Sequence, residues 1–249
     1  MFTVEQRDAL RERVLALAES DVRVVAGAAV GSLALGAGDR FSDLDLTFAV
    51  ADGIAVQEVI DDWTRTLNDN VDALRLVDLQ RGPTTYRVFL LNDLLQFDLS
   101  MTAASRFVAA GPRFRILFGE TAGEPGHTSP PQPADLFGWG VIYGLHSRSC
   151  IERGRVWQAE HYIGAVRDHA LSLACVRMGL PAVQARGYDD LPPGVLSEFA
   201  ETHVISLEPG QLRTALSAGV LMLMREGRES AVPNVDEIAQ RLGELTPLR

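Results

Sequence analysis

The chain of 249 residues contains no lysine: all 23 of its basic side chains are arginine, set against 33 acids, for a net charge of −10. Binding a phosphate backbone relies on excess positive charge, so this balance argues against a long nucleic acid as substrate. It suits a small or cationic partner instead. Cysteine is nearly absent as well. Cys150 and Cys175 fall in apolar, helix-like segments without metal-ligand spacing, which predicts buried free thiols and a reducing cytoplasmic setting. Nor is there an apolar run near the ~20 residues that span a bilayer. The longest towards the C-terminus, 215–224, contains Ser217 and Gly219, so no membrane partner is expected. The opening residues carry charges of both signs and no apolar h-region, so no signal peptide is read. Internal repeats are missing too.

What is present is a core-forming composition, 47% apolar, as in an ordinary soluble globular protein. The most informative stretch is 30–50, V-G-S-L-A-L-G-A-G-D-R-F-S-D-L-D-L-T-F-A-V. An apolar run at 22–30 reads as a buried strand, Gly31-Ser32 closes it, and a glycine-punctuated turn leads to a second strand. There Leu44, Leu46 and Phe48 alternate with Asp43, Asp45 and Thr47, so strand geometry sends the apolar set inward and both carboxylates to the other face. Two acids so spaced repel, and a hard divalent cation that prefers oxygen ligands removes the repulsion. Gly31 lets backbone approach a ligand, and the turn's N–H groups with the Ser32 hydroxyl suit phosphate oxygens. A third acid stands further on. The segment 86–101 reads as two strands about an Asn92-Asp93 turn, with Leu95, Phe97, Leu99 and Met101 on one face and Gln96, Asp98 and Ser100 on the other.

Gly31-Ser32, ten residues and then Asp43-Leu44-Asp45-Leu46, followed by Asp98, resembles the signature of the nucleotidyltransferase superfamily with the DNA polymerase β-like fold, and within it the small antibiotic nucleotidyltransferases. The resemblance implies an α+β fold, a mixed β-sheet catalytic domain with helices followed by an α-helical bundle. It implies two magnesium ions held by Asp43, Asp45 and Asp98, and ATP or another nucleoside triphosphate held at Gly31, Ser32, Asp43 and Asp45. Where the family often carries an arginine after Gly-Ser, this chain has Leu35; either Arg40 substitutes or one phosphate contact is missing. The implied acceptor is a small molecule, an aminoglycoside-type antibiotic first. A lincosamide, a protein side chain (AMPylation of the toxin–antitoxin type) and a non-catalytic nucleotide-binding module are the alternatives.

Along the chain, helices are expected at 3–20, capped by Thr3 with Gln6 and striped by Leu10, Val14 and Leu17, and at 56–67. Strands are expected at 74–79 and 114–118. A Gly- and Pro-rich run then sets a boundary, giving a catalytic domain at 1–120, a linker at 121–133 and a helical domain at 134–249. Helices are expected there at 134–152, 157–178 (stopped by Gly179), 193–204, 211–228 and 235–245. Glu160 shares a face with Gly164 and Arg167, a spacing that by itself describes a solvated helix face. By resemblance, Glu160 is a candidate general base beside the acceptor hydroxyl, with Asp98 the alternative. Arg155 and His161 also match the short Arg-x5-His spacing of helical ribonuclease toxins, a weaker reading. Nothing in one chain indicates oligomeric state.

Overall fold

The computed structural model describes residues 1–36, 38–109, 111, 113–123 and 129–245. Residues 124–128 of the expected linker and 246–249 of the expected helical domain lie outside them. The fold is α+β. It divides into two compact units, Met1–Thr128 and Ser129–Arg249.

The first unit opens with α1 (Val4–Ser20). The Gln6 amide donates to the Thr3 hydroxyl at 3.2 Å and the Thr3 amide donates to Gln6 Oε1 at 2.7 Å, a reciprocal cap that satisfies two otherwise unpaired helix-end groups. Strand β1 (Val24–Val30) runs into a single helical turn, α2 (Gly31–Ala34), where a plain turn was expected. Then come β2 (Leu44–Val50), the crossing helix α3 (Val56–Val71), and a hairpin of β3 (Leu74–Arg81) and β4 (Thr84–Leu90). A tight turn at Asn92–Leu94 leads into β5 (Gln96–Ala103), and β6 (Phe114–Phe118) follows. These strands make one sheet in the order β3-β4-β5-β2-β1-β6. It is mixed, because β2 and β5 run parallel while the other neighbours are antiparallel.

Alternation decides which face is dry. Leu10, Val14 and Ala18 of α1 and Val59, Ile60, Trp63 and Leu67 of α3 pack on Leu44, Leu46, Phe48, Phe97, Leu99 and Met101. Each large side chain so buried contributes about 1.5–3 kcal/mol. On α1 the buried stripe runs Arg7, Leu10, Val14, Ala18, with Leu17 only half-buried. The opposite face of the sheet is closed at one end by Phe107 over Ala26, Ala28 and Ala49. Further along β2 on that face stands Asp45.

The second unit is helical: α4 (Pro133–Glu152), α5 (Val156–Arg177), α6 (Pro193–Glu198), α7 (Pro209–Glu229) and α8 (Val235–Arg241). Beyond α5, Gly179 takes φ +70° and the Leu180 amide donates to the Cys175 carbonyl at 2.8 Å, the left-handed stop that glycine permits. The stretches 193–204 and 235–245 are each broken into a short helix and a 3-10 turn, Ala200–Thr202 and Gly243–Leu245. Cys150 and Cys175 are buried free thiols. No helix among the described residues is long and apolar enough to cross a membrane.

Candidate active site

The parallel pairing of β2 with β5 sets Asp45 directly beside Asp98 in register. Neighbouring strands lie about 4.8 Å apart and residues in register share a face, so the two carboxylates rise together from the sheet. Asp43, two residues before Asp45, points the same way. One oxygen from each of Asp43, Asp45 and Asp98 lies within 4.8 Å of the others, and all three residues are half-buried.

Such proximity has a cost. In an effective dielectric of about 20, two full charges at this separation repel by roughly 3 kcal/mol or more, which a bound cation would relieve. Asp98 shows the strain: its carboxyl is pushed above the usual carboxylate range, chiefly by burial and further by the charge of Asp43. The Gln96 amide opposes this, donating to Asp98 Oδ1 at 2.9 Å. A donor set made only of carboxylate oxygens suits a hard cation such as Mg2+ or Mn2+, and the residues therefore fit the metal that the motif implies.

Gly31 lies against the cluster. Its φ is +70°, and a Cβ there would press on Asp45 Oδ2. Glycine is required on both counts. The Gly31 amide donates to the Arg113 carbonyl at 3.2 Å, so its contribution to the site is space and backbone path. Ser32, half-buried, follows on α2.

The loop between α2 and β2 delivers Asp43. Within it, Asp39 Oδ1 accepts from the Phe41 amide at 2.9 Å and the Ser42 hydroxyl at 3.0 Å. Arg40 is exposed, with its guanidinium 4.4 Å from the centre of the Phe41 ring. Its guanidinium is held over that aromatic face. Arg7, which the sequence reading passed over, reaches this loop instead: it is 3% exposed, and Nη1 donates to the carbonyls of Asp39 at 2.6 Å and Ser42 at 3.0 Å. Its one legible signal was an arginine in step with the apolar stripe of α1.

Glu160 belongs to the other unit, half-buried on α5. Its neighbour on that face, Arg167, lies 3.4 Å from Asp168 and 3.5 Å from His203 Nδ1. His161 is exposed beside Tyr162, their rings 5.3 Å apart. On the adjoining surface Tyr143 and Tyr162 stack at 5.8 Å.

No family model matches the sequence, and no curated protein sequence does. The chain is similar to a solved aminoglycoside 6-adenyltransferase from Bacillus subtilis, at 12% identity and a TM-score of 0.44, over 94% of this chain and 95% of that one. It is also similar to a nucleotidyltransferase-like protein from Exiguobacterium sibiricum, at 14% identity and a TM-score of 0.41, over 95% of this chain and 80% of that one. At this level of likeness neither assigns a role to any side chain here. The chemistry rests on the three carboxylates and the turn beside them.

Proposed function

We propose that the chain is a metal-dependent nucleotidyltransferase that moves a nucleoside monophosphate, AMP from ATP in the first instance, onto a hydroxyl of a small acceptor. The observation that carries this reading is the meeting of Asp43, Asp45 and Asp98 within 4.8 Å beside the Gly31-Ser32 turn. Bound Mg2+ supplies charge neutralisation along the triphosphate and on the departing pyrophosphate.

The residues divide the remaining work. Asp43 and Asp45 would hold the metal-bound triphosphate, Gly31 leaves room for the Asp45 carboxylate, and Ser32 would donate its hydroxyl to a phosphate oxygen. Asp98 orients the acceptor hydroxyl and takes its proton. The acceptor oxygen bonds to the α-phosphorus in line as the α–β bridging bond breaks, and pyrophosphate leaves with the bonding pair. Glu160 is the second candidate for the base. An aminoglycoside-type acceptor is the first choice, because an acidic chain of net charge −10 concentrates a polycation. The buried free thiols favour the cytoplasm as its setting and antibiotic resistance as its use follows from the acceptor.

The test is pyrophosphate release with magnesium, each of four nucleoside triphosphates and a panel of aminoglycosides and lincosamides. Release that needs both a drug and Asp45 supports the reading and names both substrates. A wild type that binds no nucleotide in the presence of magnesium sinks it.

A further inference from the structure

Asp45 and Asp98 lie on strands of the sheet, but Asp43 precedes β2, at the end of the loop. Arg7 of α1 anchors that loop from outside. Arg7 Nη1 takes two carbonyls, those of Asp39 and Ser42, which lie 32 and 35 residues away in sequence. The Asp39 carbonyl also accepts from the Ser42 amide at 3.3 Å, while the Ser42 hydroxyl accepts from the Asp39 amide at 3.0 Å. Residues 39–42 are thus knotted together by hydrogen bonds and joined to α1 through the Arg7 guanidinium.

An arginine is an expensive anchor. Arg7 is nearly fully buried, its Nε has no hydrogen-bond partner, and the nearest carboxylate, Asp8, stands 3.9 Å away. Burying a charge without a close ion partner destabilises a fold by several kcal/mol unless its hydrogen bonds offset the loss. An apolar residue in step with Leu10 and Val14 would serve the core better. The loop carbonyls are what a guanidinium satisfies and an apolar side chain does not.

We propose that Arg7 is a positioning residue for Asp43: it holds the Asp39–Ser42 loop so that Asp43 meets Asp45 and Asp98, and thereby sets the affinity of the site for divalent metal. This rests on the metal reading of the carboxylates. It places Arg7 behind a ligand, where losing such support costs metal sites about 10- to 100-fold in affinity.

The test titrates Mn2+ alone, by calorimetry, into the wild type, Arg7→Ala, Arg7→Lys and Asp45→Asn, with amide hydrogen exchange measured over 39–44. The wild type binds Mn2+ and Asp45→Asn does not. Arg7→Ala binds at least tenfold more weakly and exchanges the Phe41 amide at least tenfold faster, and Arg7→Lys, which keeps a donor but not its reach, falls between. Where Arg7→Ala does not fold, Arg7→Lys carries the comparison. Wild-type affinity in a folded Arg7 variant overturns the proposal, as does unchanged exchange. A folded wild type that binds no Mn2+ counts against the metal reading, and the exchange data then decide the clamp on their own.

Discussion

Gly31 leaves no room for a side chain beside Asp45: a Cβ at position 31 would press on Asp45 Oδ2, in a backbone conformation, φ +70°, that side chains rarely adopt. Gly31→Ala is therefore expected to turn Asp45 out of the cluster as well as to strain the turn, at a cost of about 1–3 kcal/mol. Thermal unfolding and Mn2+ titration read the two effects separately. Ser32→Ala is the contrast. It is expected to keep wild-type metal affinity and raise the KM for the nucleotide about 3- to 10-fold, the worth of one hydrogen bond.

Asp98 gives the site a pH dependence with a definite sign. Its carboxyl sits above the ordinary 3.8 in the folded chain, through burial and the charge of Asp43. A group raised by folding favours the folded state at low pH, and that advantage fades as pH climbs from the ordinary carboxylate value through the raised one. At neutral pH without metal, Asp98→Asn is thus expected to melt higher than the wild type while losing catalysis. Mn2+ reverses the order by stabilising only the wild type, by about 2.7 kcal/mol at a hundredfold excess over Kd. Melting curves with and without Mn2+ at pH 5 and 7 check both parts.

Acid stability falls to Asp21 at the end of α1. Its carboxyl is pulled down to about 2 by hydrogen bonds from Arg23, with the Trp63 indole donating at 2.9 Å. A depressed carboxylate contributes its stability fully above the ordinary 3.8 and loses it as pH falls towards about 2. Asp21→Asn is expected to lower stability at neutral pH by up to about 2–3 kcal/mol and to flatten the acid limb between those values. Trp63 fluorescence reports the transition.

Arg87 is a second buried cation of the first unit, 1% exposed. It is bidentate to Asp78 at 2.8 and 2.7 Å across the β3–β4 pair and bonded to Asp61 and to the Thr64 hydroxyl of α3. Arg87→Ala leaves Asp78 with the exposed Arg75, 2.8 Å away, and removes the bonds to Asp61 and Thr64; it is expected to cost about 3 kcal/mol in urea denaturation. Arg87→Met with Asp78→Leu removes both charges and is expected to recover most of that loss.

Strand periodicity made much of the first unit legible. Leu44, Leu46 and Phe48 against Asp45 and Thr47 announced both the dry face and the acidic one, and the Asn92-Asp93 turn located Asp98. Glycine at 179 marked the end of α5 for a reason that is local to the backbone. The parts that were not legible depend on distant chain. That β5 slots in parallel beside β2, bringing Asp98 into register with Asp45, is a matter of sheet order that no local pattern encodes. The importance of Arg7 was hidden because its partners are main-chain carbonyls, which look alike at every position. Arg40 drew attention by its charge and its place in the motif, yet in the structure it lies over Phe41.

Strand β3 forms one border of the sheet, and Leu74, Leu76, Val77 and Leu79 on it are each more than two-fifths exposed. A bordering strand offers main-chain donors and acceptors that another strand can pair with, and apolar side chains deepen the attraction. The net negative charge of the molecule opposes such pairing between two copies. Salt shortens the reach of that repulsion to about 10 Å at 0.1 M, so association of two copies is expected to rise with ionic strength. The chain is best concentrated in dilute buffer, where its acids act as its preservative.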